Sequence, residues 1–175
     1  YNTLSVYTAL LAADGPRDGF EQAIGRFDYG NNRECAYRID GAHVQLYLTK
    51  NPVGFQQKIF LIRRDPKPKD IVIQINDTVL DGEDVSWLWD VDFGYLHEAA
   101  VASIVTVGSR GADMEVRLKY EDIASRCGTE LKETVEELTK RGSRNLYIIT
   151  NYSGLYPAIK MLEEMQAAGK EGMER

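Results

Sequence analysis

The sequence predicts a three-layer α/β domain with a mainly parallel sheet, and three observations carry that prediction. Strand and helix patterns alternate from residue 52 onward. The runs "DIVIQIN" (70–76), "ASIVTVGS" (102–109) and "NLYIITN" (145–151) are continuously apolar, as expected of strands covered on both faces. The segments between them carry helical spacing with start and stop residues of their own. Residues 1–49 do not fit the alternation. They are expected to form a partial α+β segment, the end of a preceding domain, with the boundary near 49–52.

Within residues 3–13, Leu4, Val6, Tyr7, Leu10 and Leu11 fall at helical spacing, closed by Gly15-Pro16. "RDGFEQAIGRF" (17–27) predicts a second short helix. "ECAYRID" (34–40) and "HVQLYLT" (43–49) alternate in strand fashion around Gly41-Ala42, which predicts a hairpin. Asn51-Pro52 starts a helix that reaches about Arg63, with proline at the first helical position, where its missing N–H costs nothing. "DPKPKD" (65–70) is a proline-broken loop, and the basic run around it, from Arg63 to Lys69, is expected to be solvated. After the first buried strand, "DGEDVSWLWDVDF" (81–93) reads at strand period. Val85, Trp87, Trp89, Val91 and Phe93 face one way, and Ser86, Leu88, Asp90 and Asp92 the other. "GADMEVRLKY" (111–120) is helical, with Met114, Val116, Leu118 and Tyr120 giving a mixed face. In "TELKETVEELTKRG" (129–142), Thr129 is the expected cap, Leu131, Val135 and Leu138 the stripe, and Gly142 the stop. "SGLYPAIKMLEEMQAAG" (153–169) is the last helix, with fraying expected over 170–175.

Composition narrows the function. The chain has 175 residues, 43% hydrophobic and 27% charged, ordinary for a globular protein. A net charge of −6 argues against a nucleic-acid binder, whose phosphate contacts need clustered lysine and arginine. No apolar run approaches the ~20 residues needed to cross a bilayer, and the first residues lack the basic and small-residue features of a signal peptide. A cytoplasmic protein is expected, and a chain starting at Tyr1 is expected to be a piece of a longer polypeptide. Cys35 and Cys127, far apart and outside any CxxC pattern, are expected to be reduced thiols. No metal site is expected.

In open α/β sheets, ligands gather at the carboxyl ends of the strands. The loops "NDTVLDGED" (76–84), "DVDFGYLHE" (90–98) and "GSRGAD" (108–113) qualify. Asp90 and Asp92 on one side of a strand would lie roughly 6–7 Å apart. Such acids can orient a histidine, ligate Mg²⁺, act as general acid or base, or simply cap a turn. His97 stands nearby, and the only other histidine is His43. No GxSxG elbow occurs, which leaves an enzyme complete in itself short of reagents, and no GxxxxGK[ST] loop occurs, so a nucleotide kinase or self-sufficient ATPase is not expected. "VGSRGAD" (107–113) offers backbone N–H groups and Arg110 as a weak anion site, or is an ordinary strand-to-helix turn.

Three segments, "KNPVGFQQ" (50–57), "INDTVLDGEDVSWLWDVDF" (75–93) and "VRLKY" (116–120), together resemble the C-terminal domain of the MurT family. These are the Mur-ligase-like subunits of bacterial lipid II isoglutaminyl synthase. "YNTLSVYTALLAA" (1–13) and "GNNRECAYRIDG" (30–41) resemble the last part of a Mur ligase central domain. The resemblance implies a Rossmann-like Mur ligase C-terminal domain over 50–175 and a central-domain remnant over 1–49. It implies a heterodimer with GatD, a class I glutamine amidotransferase that hydrolyses glutamine with its own Cys and His. The full-length subunit would use ATP and Mg²⁺ to activate the D-glutamate α-carboxyl of the lipid II stem peptide, which ammonia converts to D-isoglutamine. In the family an aspartate from the C-terminal domain completes the Cys–His pair. Asp90 is the expected residue, because the Trp-flanked strand should end there and packed tryptophans would fix its carboxylate, with Asp92 and then Asp84 as alternates. One departure is Gly94, where an acidic residue is expected after "WDVDF". Arg33 matches the arginine of a "GRxE"-type element on the ATP side, and Asn2 lies in the helix flanking the nucleotide. The phosphate loop and the Cys-rich zinc-binding insertion would lie upstream, so this fragment is expected to bind no cofactor tightly and to be inactive alone. Two other readings stand beside this one: a non-catalytic interaction domain, and the C-terminal domain of a Mur or folylpolyglutamate ligase that adds an amino acid without a glutaminase.

Overall fold

A computed structural model of the chain describes residues 2–15, 19–26 and 34–173. It falls into two compact units, residues 1–32 and 33–175. In the first, α1 (Asn2–Ala12) and α2 (Phe20–Gly25) follow the two predicted helical patterns, and the rings of Tyr7 and Phe20 meet at 5.0 Å.

The second unit contains β1 (Glu34–Ile39), β2 (Ala42–Leu48), α3 (Pro52–Arg64), β3 (Lys69–Gln74), β4 (Val101–Val107), α4 (Gly111–Lys119), β5 (Arg126–Cys127), α5 (Leu131–Lys140), β6 (Asn145–Thr150) and α6 (Tyr152–Met173). Its sheet has the order β1-β2-β6-β3-β4-β5. All neighbours are parallel except β1 and β2. The central strands are apolar on both sides because both sides are covered. Ile71 and Ile73 of β3 and Tyr147 and Ile149 of β6 pack with α3 and α4, through Phe55, Ile59, Ile62, Met114 and Leu118. Val72, Leu146 and Ile148 pack the other way, against Leu131, Val135 and Leu138 of α5 and Leu155 and Leu162 of α6. This is the predicted three-layer architecture.

The hairpin forms one residue earlier than expected, on Asp40-Gly41, where φ is 48° and 78°. Two successive positive φ angles are what a two-residue turn needs to match strand twist. The hairpin also belongs to this sheet. β2 runs beside β6 from His43–Asn145 to Leu48–Thr150, and Val44 and Leu46 are fully buried. The compact unit thus reaches back past the boundary expected near 49–52.

The largest departure lies between β3 and β4. Segment 85–93 is not a strand but part of two 3₁₀ turns, Ser86–Asp90 and Phe93–Glu98. Val85, Leu88 and Val91 recur at the three-residue period of such a turn and are buried, whereas Trp89 is 53% exposed. The acids explain the choice. Asp84 accepts the Ser86 N–H at 2.8 Å and Asp92 the Gly94 N–H at 3.0 Å, two local turns that oppose an extended chain.

Smaller differences have equally local causes. β5, two residues long, carries too little pattern to be read. Thr129 does not cap α5. Glu130 holds the N-cap position and makes no side-chain bond there, while Thr129 Oγ1 donates to Glu133 at 2.6 Å. On α4 the buried side chains are Met114, Arg117 and Leu118, while Val116 and Tyr120 are exposed. α6 continues through Met173 rather than fraying from 170. The basic run is not uniformly solvated. Lys69 is buried and its ammonium donates to the carbonyls of Ile62 (3.2 Å) and Asp65 at the end of α3.

Candidate functional site

The carboxyl ends of β3, β4 and β6 close on one another rather than opening a cradle. Asn151 donates to the Asn76 carbonyl at 2.6 Å, and Asn76 Nδ2 to Ser153 at 3.1 Å. Gly108, at φ 92°, passes so close that a Cβ there would stand 2.4 Å from the Ile75 carbonyl oxygen. The N–H groups that follow are spent internally: Ser109 on Asn76 Oδ1 (3.3 Å), Arg110 on the Ile75 carbonyl (2.9 Å) and Gly111 on Gly108 (3.0 Å). Arg110 itself lies between Asp77 (3.7 Å) and Asp113 (3.1 Å). The anion site suggested by "VGSRGAD" is therefore an ordinary strand-to-helix turn.

Asp84 borders that turn, lining one hollow with Arg110, Asp113 and Arg117, and Asp90 and Asp92 follow it along the chain. They are in the outer layer, where the two 3₁₀ turns stand in place of a crossover helix and pack beside α3 and α4. The three motifs that sequence placed far apart meet here. From α3, Asn51 accepts the Gly54 N–H at 2.8 Å and fixes the helix start, and Phe55, fully buried, meets Phe93 edge-on at 5.2 Å and Trp87 at 6.3 Å. Gln56 grips the backbone of Asp92, accepting its N–H at 2.9 Å and donating to its carbonyl at 3.2 Å.

From α4 comes Arg117, 5% exposed. Its Nε donates to the Leu88 carbonyl at 3.2 Å, and its Nη2 to the Val91 carbonyl at 2.7 Å and to Glu121 at 2.9 Å. Its guanidinium lies 5.2 Å from the ring centres of Trp89 and of Phe93. A charge this buried needs hydrogen-bonded partners, and here two carbonyls and a carboxylate take the Nε and Nη2 donors. Outside it, Trp89 meets Tyr120 edge-on at 5.2 Å, and Tyr120 is 73% exposed. Sequence reasoning missed Arg117, although its place three residues after Met114 on the inner stripe of α4 was a usable signal.

Of the three candidate acids, two have structural work to do. Asp84 is exposed, and the Ser86 N–H holds its carboxyl below the usual carboxylate range. Asp92 caps the second turn. Asp90, the last residue of the first turn, is exposed, and its carboxylate makes no hydrogen bond or ion pair with another described residue. His97 does not join them, because its Nε2 donates to the Glu121 carbonyl at 2.8 Å. His43 lies half-buried on β2. Cys35 and Cys127 sit on β1 and β5, at opposite edges of the sheet, and are not joined in a disulfide. Arg33 lies outside the described residues, as does the side chain of Asn2, which opens α1. Among the described residues no helix is long and apolar enough to cross a membrane.

Comparison with known proteins places this arrangement. Residues 48–155 match the family model described as MurT ligase C-terminal, a span that contains all three converging motifs. The subunit MurT of lipid II isoglutaminyl synthase (glutamine-hydrolyzing) from Staphylococcus aureus strain COL is 27% identical over 173 residues, covering 97% of this chain and 39% of that protein. Its counterpart from Streptococcus pneumoniae strain ATCC BAA-255 / R6 is 27% identical over 178 residues, with 98% and 39% covered. The chain thus spans about two fifths of the length of these relatives. Among solved structures, the UDP-N-acetylmuramate-alanine ligase MurC of Thermotoga maritima superposes with a TM-score of 0.62 at 12% identity, covering 95% of this chain and 37% of that one. MurF of Acinetobacter baumannii gives 0.63 at 12%, with 95% and 37% covered. These two show a shared Mur ligase C-terminal-like fold. With its family match spanning most of the sheet and the whole convergence around Asp90, the chain belongs to the MurT ligase C-terminal family.

Proposed function

We propose that this chain is the C-terminal part of a subunit of a glutamine-hydrolysing lipid II isoglutaminyl synthase, and that its 85–93 surface docks a GatD-type glutaminase. In this reading Asp90 completes the partner's Cys–His pair. Its carboxylate accepts the imidazole Nδ1–H, fixes the productive tautomer, and stabilises the imidazolium formed as the thiolate is generated. Glutamine is hydrolysed to glutamate and ammonia, and the ammonia supplies the nitrogen that turns the D-glutamate α-carboxyl of the lipid II stem peptide into D-isoglutamine. One observation carries the assignment: Asp90 alone among the three acids is exposed and unengaged, on a turn held from both sides and beside two exposed aromatic rings.

The turn after β4 offers no phosphate cradle, because its backbone donors are consumed within the fold. ATP and Mg²⁺ belong, in this proposal, to the remainder of the subunit, together with Arg33 and Asn2 on that side. The isolated fragment is accordingly expected to be inactive, and the assembled enzyme to work in the cytoplasm.

The test is Asp90→Asn in the full-length subunit bound to its glutaminase. An amide keeps the shape but supports the wrong tautomer, so glutamine hydrolysis should fall by about 10⁴-fold while the complex still forms. Near-normal ammonia release from an intact complex would remove Asp90 from the chemistry and favour a purely interacting domain.

A further inference from the structure

Asp90 has no hydrogen bond of its own to steer its carboxylate, so the backbone that carries it sets the point from which the carboxylate reaches out. That backbone is gripped at Leu88 and Val91, the carbonyls bracketing Asp90, and both bonds come from one guanidinium. The same group is backed by Glu121 at 2.9 Å and lies against Trp89 on one flank and Phe93 on the other. A 3₁₀ turn of five residues has few internal hydrogen bonds and weak geometry, and cannot hold an exposed side chain steady unaided. Leu88 and Val91 are buried on either side and Gln56 holds Asp92 from α3, but Trp89, next to Asp90, is more than half exposed, and the Leu88 and Val91 carbonyls are held by Arg117.

We infer that Arg117 is the positioning residue for Asp90: its fork across the Leu88 and Val91 carbonyls sets where the carboxylate stands when a partner's imidazole arrives. The inference rests on the proposed role of Asp90 and adds a residue that touches neither substrate nor partner in it. The fork is the essential feature. A lysine at 117 keeps the charge and most of the stem, but its ammonium is shorter in reach and free to rotate, and it does not fix two carbonyls at the spacing a planar guanidinium sets.

The experiment uses the full-length subunit in complex with its glutaminase and compares Arg117→Lys, Arg117→Met, Asp90→Asn and the double variant Asp90→Asn/Arg117→Lys. A misplacement of about 1 Å is enough to cost roughly a hundredfold in rate. Arg117→Lys should therefore lower kcat for glutamine hydrolysis by about that factor, with KM for glutamine and the affinity of the two subunits changed by less than about threefold. The double variant should be no slower than Asp90→Asn alone, because a misplaced carboxylate that is already absent has nothing further to lose. Arg117→Met should do the same or more. If it fails to fold, the lysine variant and the double variant still decide the matter. Three results overturn the inference: normal kcat in Arg117→Lys, a loss confined to subunit affinity, or losses that multiply in the double variant. Full activity in Asp90→Asn would instead sink the proposed function, and that outcome is read from a separate variant.

Discussion

Asp65, at the end of α3, gathers three donors: the Lys67 N–H at 2.9 Å, Asn145 Nδ2 at 2.5 Å and the Tyr147 hydroxyl at 2.8 Å. Burial pushes its carboxyl up, but these bonds and the Lys69 charge outweigh it and hold the group down at about 2. Burial, then the Asp65 carboxylate, pushes the Tyr147 hydroxyl up. A carboxyl depressed in the folded state stabilises the fold above its unfolded value and loses that contribution as pH falls through the folded one. The stability gap between the natural chain and Asp65→Asn should therefore be full above pH 3.8 and close as pH drops toward about 2, measured by urea unfolding at successive pH values. A gap unchanged across that window would remove Asp65 as the source. Of the Asp90 and Asp92 pair, Asp92 could be read from sequence as a turn cap, because an Asx turn is a local event spanning two residues, while Asp90 caps nothing. The Arg117 bonds could not, since they join positions 26 and 29 residues apart.

At the level of elements, α3 begins where the sequence says. Asn51 supplies the cap, Pro52 the first helical residue, and Gly54 leaves room, since a Cβ there would lie 3.2 Å from the capping oxygen. Asn51→Ala should cost about 1 kcal/mol of stability, seen as a shift in the unfolding midpoint with unchanged slope. A cost near zero would mean that the helix start is held by Phe55 alone. The buried strands were legible because coverage on two faces leaves a continuous apolar run, a signal that does not depend on period. The 85–93 segment was not, because Val85 and Val91 satisfy a two-residue and a three-residue period equally. Only Leu88 and the exposure of Trp89 separate the two readings. The hairpin was legible as a hairpin but not as part of the sheet, since its partner β6 lies about a hundred residues further on.

On the scale of the whole molecule, the fold is a scaffold that carries one turn. The core beneath α3 and α4 holds Phe55, Phe93 and Leu88, and on its outer surface stand Asp90, Trp89 and Tyr120. Exposed aromatic rings around a desolvatable centre are the usual composition of a docking surface. The turn that presents Asp90 there is bonded from α3 through Gln56 and from α4 through Arg117. The fold class and the converging motifs were present in the sequence, and the direction of Asp90 was not, because it depends on packing between α3, α4 and the turns. The most direct measurement is the structure of the full-length subunit with the glutaminase proposed as its partner. In that complex the Asp90 carboxylate should lie within about 2.6–3.2 Å of a ring nitrogen of the partner's active-site histidine, with Trp89 and Tyr120 buried between the subunits. A complex in which that histidine meets a different acid, or in which Asp90 stays in solvent, would contradict the proposed role of Asp90.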